Sequence, residues 1–296
     1  MRGERPLHDK VRMPMSFHDA LAKVLGTRPL RISPLSGGCI GDVSRVFLPD
    51  GSSVVAKFAA TGGSLDIEGF MLRYLAEHSR LPVPRVMHDS PSLLVMEFVE
   101  GESRFSPAAE RHAAELLADL HSISAPEFGF ERDTLIGPLP QRNVRSQSWI
   151  EFFREQRILL MARTAAAAGQ IDDRLHDRLR RLADRLPSLL HEPEHPSLIH
   201  GDVWTTNVLA HGDRITGFID PALYHAHPEI ELAFTTLFGT FGRAFFDRYN
   251  ELRPIRAGFF ETRRDIYNLY PLLVHARLFG GGYAAQIGGV LRGLGF

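Results

Sequence analysis

Cysteine is nearly missing from this chain: Cys39 is the only one among 296 residues. That excludes an internal disulfide framework and any zinc site built on several thiolates. Net charge is missing too. Lys and Arg together number 34 against 35 Asp and Glu, a formal charge of -1. A basic footprint for nucleic acid and a polybasic patch for a membrane surface are therefore not expected. Long apolar runs are absent, and none approaches the roughly eighteen residues that a bilayer-spanning helix needs. The stretch MRGERPLHDKVRMPMS is charged and leads into no apolar segment, so residues 1–15 read as a loose leader and not as a secretory signal. These absences lead to the expectation of a cytoplasmic chain, monomeric or weakly dimeric, that acts on a small molecule.

What is present divides the chain in two. Its 33.2 kDa suit two lobes or one large α/β unit. In the first hundred residues, RISPLSGGCIGDVSRVFL and SSVVAKFA are β-branched runs, with Asp50-Gly51 between them as a hairpin signal. DIEGFMLRYLAEHS carries an apolar stripe at helical spacing, and SLLVMEFVEG reads as a buried strand that breaks at Gly101. A helix is expected to start near Ser16, a candidate cap. Beyond Gly101 the chain turns helical. SPAAERHAAELLADLHSI, SWIEFFREQRILLMARTAAAA, DDRLHDRLRRLADRLPSLL, PEIELAFTTLF and RRDIYNLYPLLVHARLF all have helical periodicity, with strand-like pieces at Val208-Leu209 and ITGFID. The division predicts an α+β chain with a small β-rich N-lobe over 16–98 and a larger helical C-lobe over 99–296.

The polar residues inside the apolar strips carry the chemistry. LIHGDVWTTNVL holds His200, Asp202 and Asn207 in the spacing His-x-Asp-x-x-x-x-Asn. That is the spacing of the protein-kinase catalytic loop, where the Asp serves as base and the Asn as magnesium ligand. Asp220 closes ITGFID, where a kinase carries its other metal-binding aspartate, and both it and Asn207 are hard oxygen donors suited to magnesium. Lys57 in VVAKF occupies the place of the kinase strand lysine, and Glu68 on the following helix is its natural partner. Singly, each has a bland reading: a strand-end charge, an exposed helix residue, a turn opener before Pro221. Five polar positions in order, each in a fitting strand or helix context, point to phosphoryl transfer from ATP with Mg2+.

From Pro34 to about Gly282 the chain resembles the fructosamine-3-kinase, or ketosamine kinase, family, relatives of the aminoglycoside phosphotransferases with a protein-kinase-like two-lobed fold. HGDVWTTN resembles that family's HGDLWSGN, LSGGCI its glycine-rich turn, FIDPALYHAHPEIELAFTTLFG its DPA block and RLFGGG its final helix ending. The resemblance implies Asp202 as catalytic base, Asn207 and Asp220 on magnesium, Lys57 on the α- and β-phosphates and Glu68 holding Lys57. It also implies Gly37 and Gly38 in the ATP-covering turn, and Met96, Glu97, Phe98 and Val99 as the hinge that meets adenine. The implied reaction is phosphorylation of a sugar hydroxyl of a ketosamine, a protein-deglycation activity. A kinase for another hydroxylated amine, of aminoglycoside or choline type, stays open, as does a nucleotide-binding pseudoenzyme. Thr205-Thr206 stands where the family has Ser-Gly, which bears on the acceptor. Glu231 stands where many members have Asp, as a carboxylate bracing the loop.

Trp204 lies between two polar catalytic residues with no evident core to enter, so it is expected to wall a sugar subsite. His225 and His227 lack a defined third ligand and are expected at the surface. Cys39 has two readings: a small buried filler, or a redox-reactive thiol among phosphate-binding amides. The aromatic series FTTLFGTFGRAFFDRY reads as core.

Overall fold

The computed structural model describes residues 17–35, 42–59 and 63–296. Gly37, Gly38 and Cys39 lie outside the described residues, so the expectations placed on them stay expectations. The first described helix, α1, is Phe17–Leu25, followed by strands β1 (Arg31–Pro34), β2 (Asp42–Phe47) and β3 (Ser53–Phe58). Helix α2 (Leu65–His78) comes next, then β4 (Val86–Ser90) and β5 (Leu93–Glu97). The five strands form one antiparallel sheet in the order β1-β2-β3-β5-β4. The Asp50-Gly51 turn joins β2 to β3: Asp50 accepts from the Ser52 N–H over 2.9 Å, and Gly51 has φ +87°.

Alternation along β3 places Lys57. Successive side chains point to opposite faces, so Val54 and Ala56 pack with Leu21 of α1 on one face. Val55 packs with Leu72 of α2 on the other. Lys57 shares the parity of Val55 and so faces α2.

The remaining chain is mostly helical: α3 (Pro107–Leu120), α4 (Trp149–Phe152), a π-helical stretch Phe153–Leu159, α5 (Leu160–Ala167) and α6 (Asp173–Leu189). It continues with α7 (Glu229–Leu237), α8 (Arg243–Leu252), a second π stretch Phe259–Arg263, α9 (Arg264–Phe279) and α10 (Tyr283–Gly293). Three short hairpin-like pairs are embedded here: β6 (Thr134–Ile136) with β7 (Leu139–Gln141), β8 (Ser197–Ile199) with β11 (Tyr224–Ala226), and β9 (Val208–His211) with β10 (Arg214–Phe218). The Glu102 backbone bridges Ala210 in both directions, at 2.8 and 2.9 Å, which seats the segment leaving β5 onto β9. One large apolar cluster, with Trp149, Phe153, Phe218, Tyr267 and Leu273 among its buried members, holds the helices together. This is a two-lobed α+β kinase-like architecture. No helix among the described residues is long and apolar enough to cross a membrane.

The sheet, the long helices and the β9–β10 pair match the periodicity. The pairs β6–β7 and β8–β11 do not announce themselves, because their strands have three residues each. Helices α8 and α10 also go unread in the sequence, although the aromatic series behaves as core, with Phe245 and Tyr249 buried. The surface placement expected for His225 and His227 is wrong. His225 lies on β11, exchanges backbone hydrogen bonds with Gly129 at 2.9 Å and stacks on Phe130. His227 is enclosed by Trp149, Tyr267 and His191. A β-strand paired on the inside of the helical lobe buries polar side chains that their short local pattern leaves ambiguous.

Candidate active site

Lys57 Nζ donates to Glu68 Oε1 of α2 over 2.7 Å and also to Asp220 Oδ1, so one buried cation links the sheet to the end of β10. Burial works to lower the Lys57 pKa, but the carboxylates of Asp220 and Glu68 outweigh it and hold the ammonium well above its ordinary value. Burial raises the Glu68 carboxyl, against the pull of Lys57. Asp220 is the one non-glycine among the described residues with positive φ, at 55°. That conformation costs energy for a residue with a Cβ, is tolerated better by Asp than by most, and clusters at functional sites.

The Asp202 loop is set from beneath. Strand β8 delivers His200, and Gly201 follows with φ +87°. A Cβ at Gly201 would stand 2.1 Å from the carbonyl oxygen of Ala222, so this position requires glycine twice over. Glu231 of α7 accepts the Gly201 N–H over 2.6 Å and the His200 N–H over 3.3 Å. Burial would raise the Glu231 pKa, but hydrogen bonding and charge from His121, with help from His200 and Gly201, lower it. His121 in turn is held by the Tyr249 hydroxyl at 2.7 Å. Glu231 is therefore the loop-bracing carboxylate that the family resemblance implies.

A 3-10 turn, Thr205–Asn207, then folds the chain back so that Asn207 Nδ2 donates to Asp202 Oδ2 over 2.7 Å and to the Asp202 carbonyl over 3.0 Å. Both acceptors demand the amide nitrogen, which assigns the side-chain orientation and leaves Asn207 Oδ1 with a long 3.5 Å bond from the Thr206 hydroxyl. Burial, with the nearby charge of Asp220, pushes the Asp202 carboxyl up to about 8, against the Asn207 hydrogen bond. Lys57, Glu68, Asp202, Asn207 and Asp220 are thus all brought to one place. Met96 and Glu97 end β5, and Phe98 and Val99 follow it; Val99 packs on Gly217 of β10.

Beside Asp202 lies a niche of about 30 Å³ lined by Ile199, Tyr224, Phe234, Tyr270 and His275. It is far too small for a whole sugar. Trp204 does not line the niche itself. It packs on Phe238 at 5.4 Å and on His275 at 6.4 Å between ring centroids, one ring removed. His275 Nδ1 donates to the Pro271 carbonyl over 2.8 Å, so the neutral ring keeps a lone pair on Nε2, and burial holds its pKa below the usual value. Tyr270 and His275 were not singled out from the sequence. They lie on α9, some seventy residues beyond Asp202, and no spacing rule connects the two segments.

His191, His227 and Glu229 gather elsewhere, with ligand atoms within 4.8 Å of one another. The Glu229 N–H donates to His227 Nδ1 over 3.1 Å, which leaves the neutral ring's proton on Nε2, the atom facing His191. Both Glu229 oxygens are taken by Arg263, at 2.6 and 2.7 Å. The cluster is internally satisfied as a hydrogen-bonded packing.

With this geometry in view, the family profile for fructosamine kinase matches residues 16–294. The chain belongs to the fructosamine kinase family. It is 32% identical over 272 residues to a protein-ribulosamine 3-kinase of Arabidopsis thaliana, covering 88% of this chain and 81% of that one. It is 33% identical over 282 residues to a Synechocystis protein named as a ketoamine kinase, covering 90% and 91%. Among solved structures, a Thermobifida fusca protein described as a fructosamine-3-kinase superposes with TM-score 0.82 at 32% identity, over 94% of this chain and 98% of that one. An aminoglycoside phosphotransferase in complex with gentamicin gives TM-score 0.66 at 15% identity, covering 95% and 97%, a likeness of fold alone.

Proposed function

We propose that this family member is a phosphotransferase that moves the γ-phosphoryl group of ATP to a sugar hydroxyl of a ketosamine. The observation that carries the reading is the double junction at the cleft: Lys57 joins Glu68 to Asp220, and Asn207 joins Asp202. A pseudoenzyme has no need of an intact base beside a niche, and a buried set of this cost is hard to account for without turnover.

Each residue has a role in that chemistry. The acceptor hydroxyl lies in the niche against Asp202, whose carboxylate orients it and takes its proton as the oxygen bonds to the γ-phosphorus and the bond to ADP breaks. A base with a pKa near the working pH is well matched to that proton. Lys57, fixed by Glu68, holds the α- and β-phosphates. Asn207 Oδ1 and the Asp220 carboxylate would hold Mg2+, which neutralises phosphate charge when bound. Adenine meets the backbone from Met96 to Val99, between an N-lobe of 16–98 and a C-lobe of 99–296. Trp204, Phe238 and His275 form an aromatic wall for the amine-bearing part of the acceptor. The working compartment is the cytoplasm.

The test is ADP formation with ATP and magnesium across a panel of fructosamines, ribulosamines, aminoglycosides and choline. Turnover confined to the ketosamines supports the reading. Turnover confined to another amine, or ATP binding without turnover on any, would overturn it.

A further inference from the structure

Beneath the niche lies a chain of polar side chains that the proposed chemistry does not use. Thr134, Gln141, Asn143 and Arg157 are each at most 2% exposed. The Gln141 amide donates from Nε2 to the carbonyl of Ala222 over 2.9 Å and to Thr134 Oγ1 over 3.0 Å. Its Oε1 accepts the Tyr270 hydroxyl over 2.9 Å. Thr134 Oγ1 donates onward to the Leu223 carbonyl over 3.2 Å and accepts from Asn143 Nδ2 over 2.8 Å. Asn143 Oδ1 accepts from Arg157 over 2.7 Å, and the Arg157 guanidinium lies 3.9 Å from the Tyr224 ring centre.

Burying so many polar groups costs stability unless each is paired, and apolar residues of similar shape would fill the space more cheaply. A network paired at every side-chain polar atom but Arg157 Nε fixes geometry instead. Here the fixed point is Ala222. Its N–H donates to the His200 carbonyl over 2.8 Å, its carbonyl abuts Gly201, and Gln141 takes that same carbonyl. Ala222 stands two residues after Asp220, and Gly201 directly precedes Asp202. Tyr270, the other residue on Gln141, lines the niche.

We propose that Gln141 is a positioning residue for the acceptor: it ties the Asp220–Tyr224 segment and the Tyr270 wall of the niche to one amide, and so sets the acceptor's place relative to Asp202. It acts through Ala222 and Tyr270 and does not touch ATP. The inference rests on the acceptor reading of the niche.

The test uses Gln141→Leu, which removes the Ala222 and Tyr270 links together with the Thr134 bond, and Tyr270→Phe, which removes one hydroxyl and leaves the Ala222 link intact. Wild-type turnover of a ketosamine comes first, since its failure would count against the function and not against Gln141. Gln141→Leu is then expected to raise the ketosamine KM about tenfold and lower kcat, with the ATP KM and nucleotide affinity unchanged. Tyr270→Phe should raise the ketosamine KM with kcat near wild type. The double variant should match Gln141→Leu in ketosamine KM, because the hydroxyl then has no amide to meet. A purely structural role would instead lower the melting temperature and the active fraction while leaving both KM values in place. That pattern, or losses that simply add in the double variant, overturns the proposal. If Gln141→Leu does not fold, an unchanged ketosamine KM in Tyr270→Phe overturns it alone.

Discussion

Asn207 donates its side-chain amide to Oδ2 of Asp202 over 2.7 Å, so the residue proposed to hold the metal also orients the proposed base. An asparagine at 202 would still offer an oxygen to that amide and keep the loop's shape. It would have no carboxylate to take a proton.

Asp202→Asn is therefore expected to lower kcat by about a hundredfold or more while nucleotide binding persists. Steady-state kinetics together with nucleotide titration check this. Turnover near the wild-type rate would remove Asp202 from the role.

The metal pair gives a separate outcome. Asp220→Ala should abolish turnover at ordinary magnesium concentrations, because it removes the proposed anionic ligand and one partner of Lys57. Asn207→Ala should raise the magnesium concentration needed for half-maximal rate. Identical magnesium curves for wild type and Asn207→Ala would argue against an Asn207 ligand.

Trp204 packs on Phe238 and His275 at the edge of the niche. An indole face attracts a nearby cation by about 0.5 to 2 kcal/mol, so Trp204→Ala is expected to raise the ketosamine KM several-fold to some tens of times. The ATP KM should hold. If both KM values shift equally and the melting temperature falls sharply, the ring is a wedge for the loop and not a wall for the acceptor.

Acid should weaken the fold through buried histidines. Burial, with a smaller push from Arg145, drives the His225 pKa down to about 4, against a hydrogen bond to Gly129. Between the ordinary value of 6.5 and about 4, the unfolded chain binds a proton that the folded chain refuses. Stability therefore falls as pH drops through that window, by at most about 3 kcal/mol from this residue. His200 and His227, also lowered by burial, act in the same direction. Melting temperatures from pH 7 to 4.5 should fall less steeply in His225→Phe than in wild type. Parallel slopes would exclude His225 as a contributor.

The candidate catalytic set is legible along the chain because its proposed chemistry is tied to local spacing. Asp202 and Asn207 are five positions apart, so one tight turn brings them together whatever surrounds it. Lys57 follows from its place in the strand VVAKF, and Glu68 from its place on the next helix. The helical half was legible in its long amphipathic segments for the same reason, since a period shows itself only over several turns. Short strands such as β8 and β11 offer three residues and no period, so the sequence does not show the burial of His225, and that of His227 comes from Trp149, His191 and Tyr267 packed around it. Nor does any spacing rule link Glu231 to the Gly201 N–H, Gln141 to Ala222, or His275 to the niche beside Asp202. Those partners stand 30, 81 and 73 positions apart. Hydrogen-bonding capacity belongs to the residue type, whereas the partner that satisfies it is chosen by how the helices close around the core. The sequence of this kinase therefore carries the proposed reacting groups, and packing over long separations supplies the walls and braces around them.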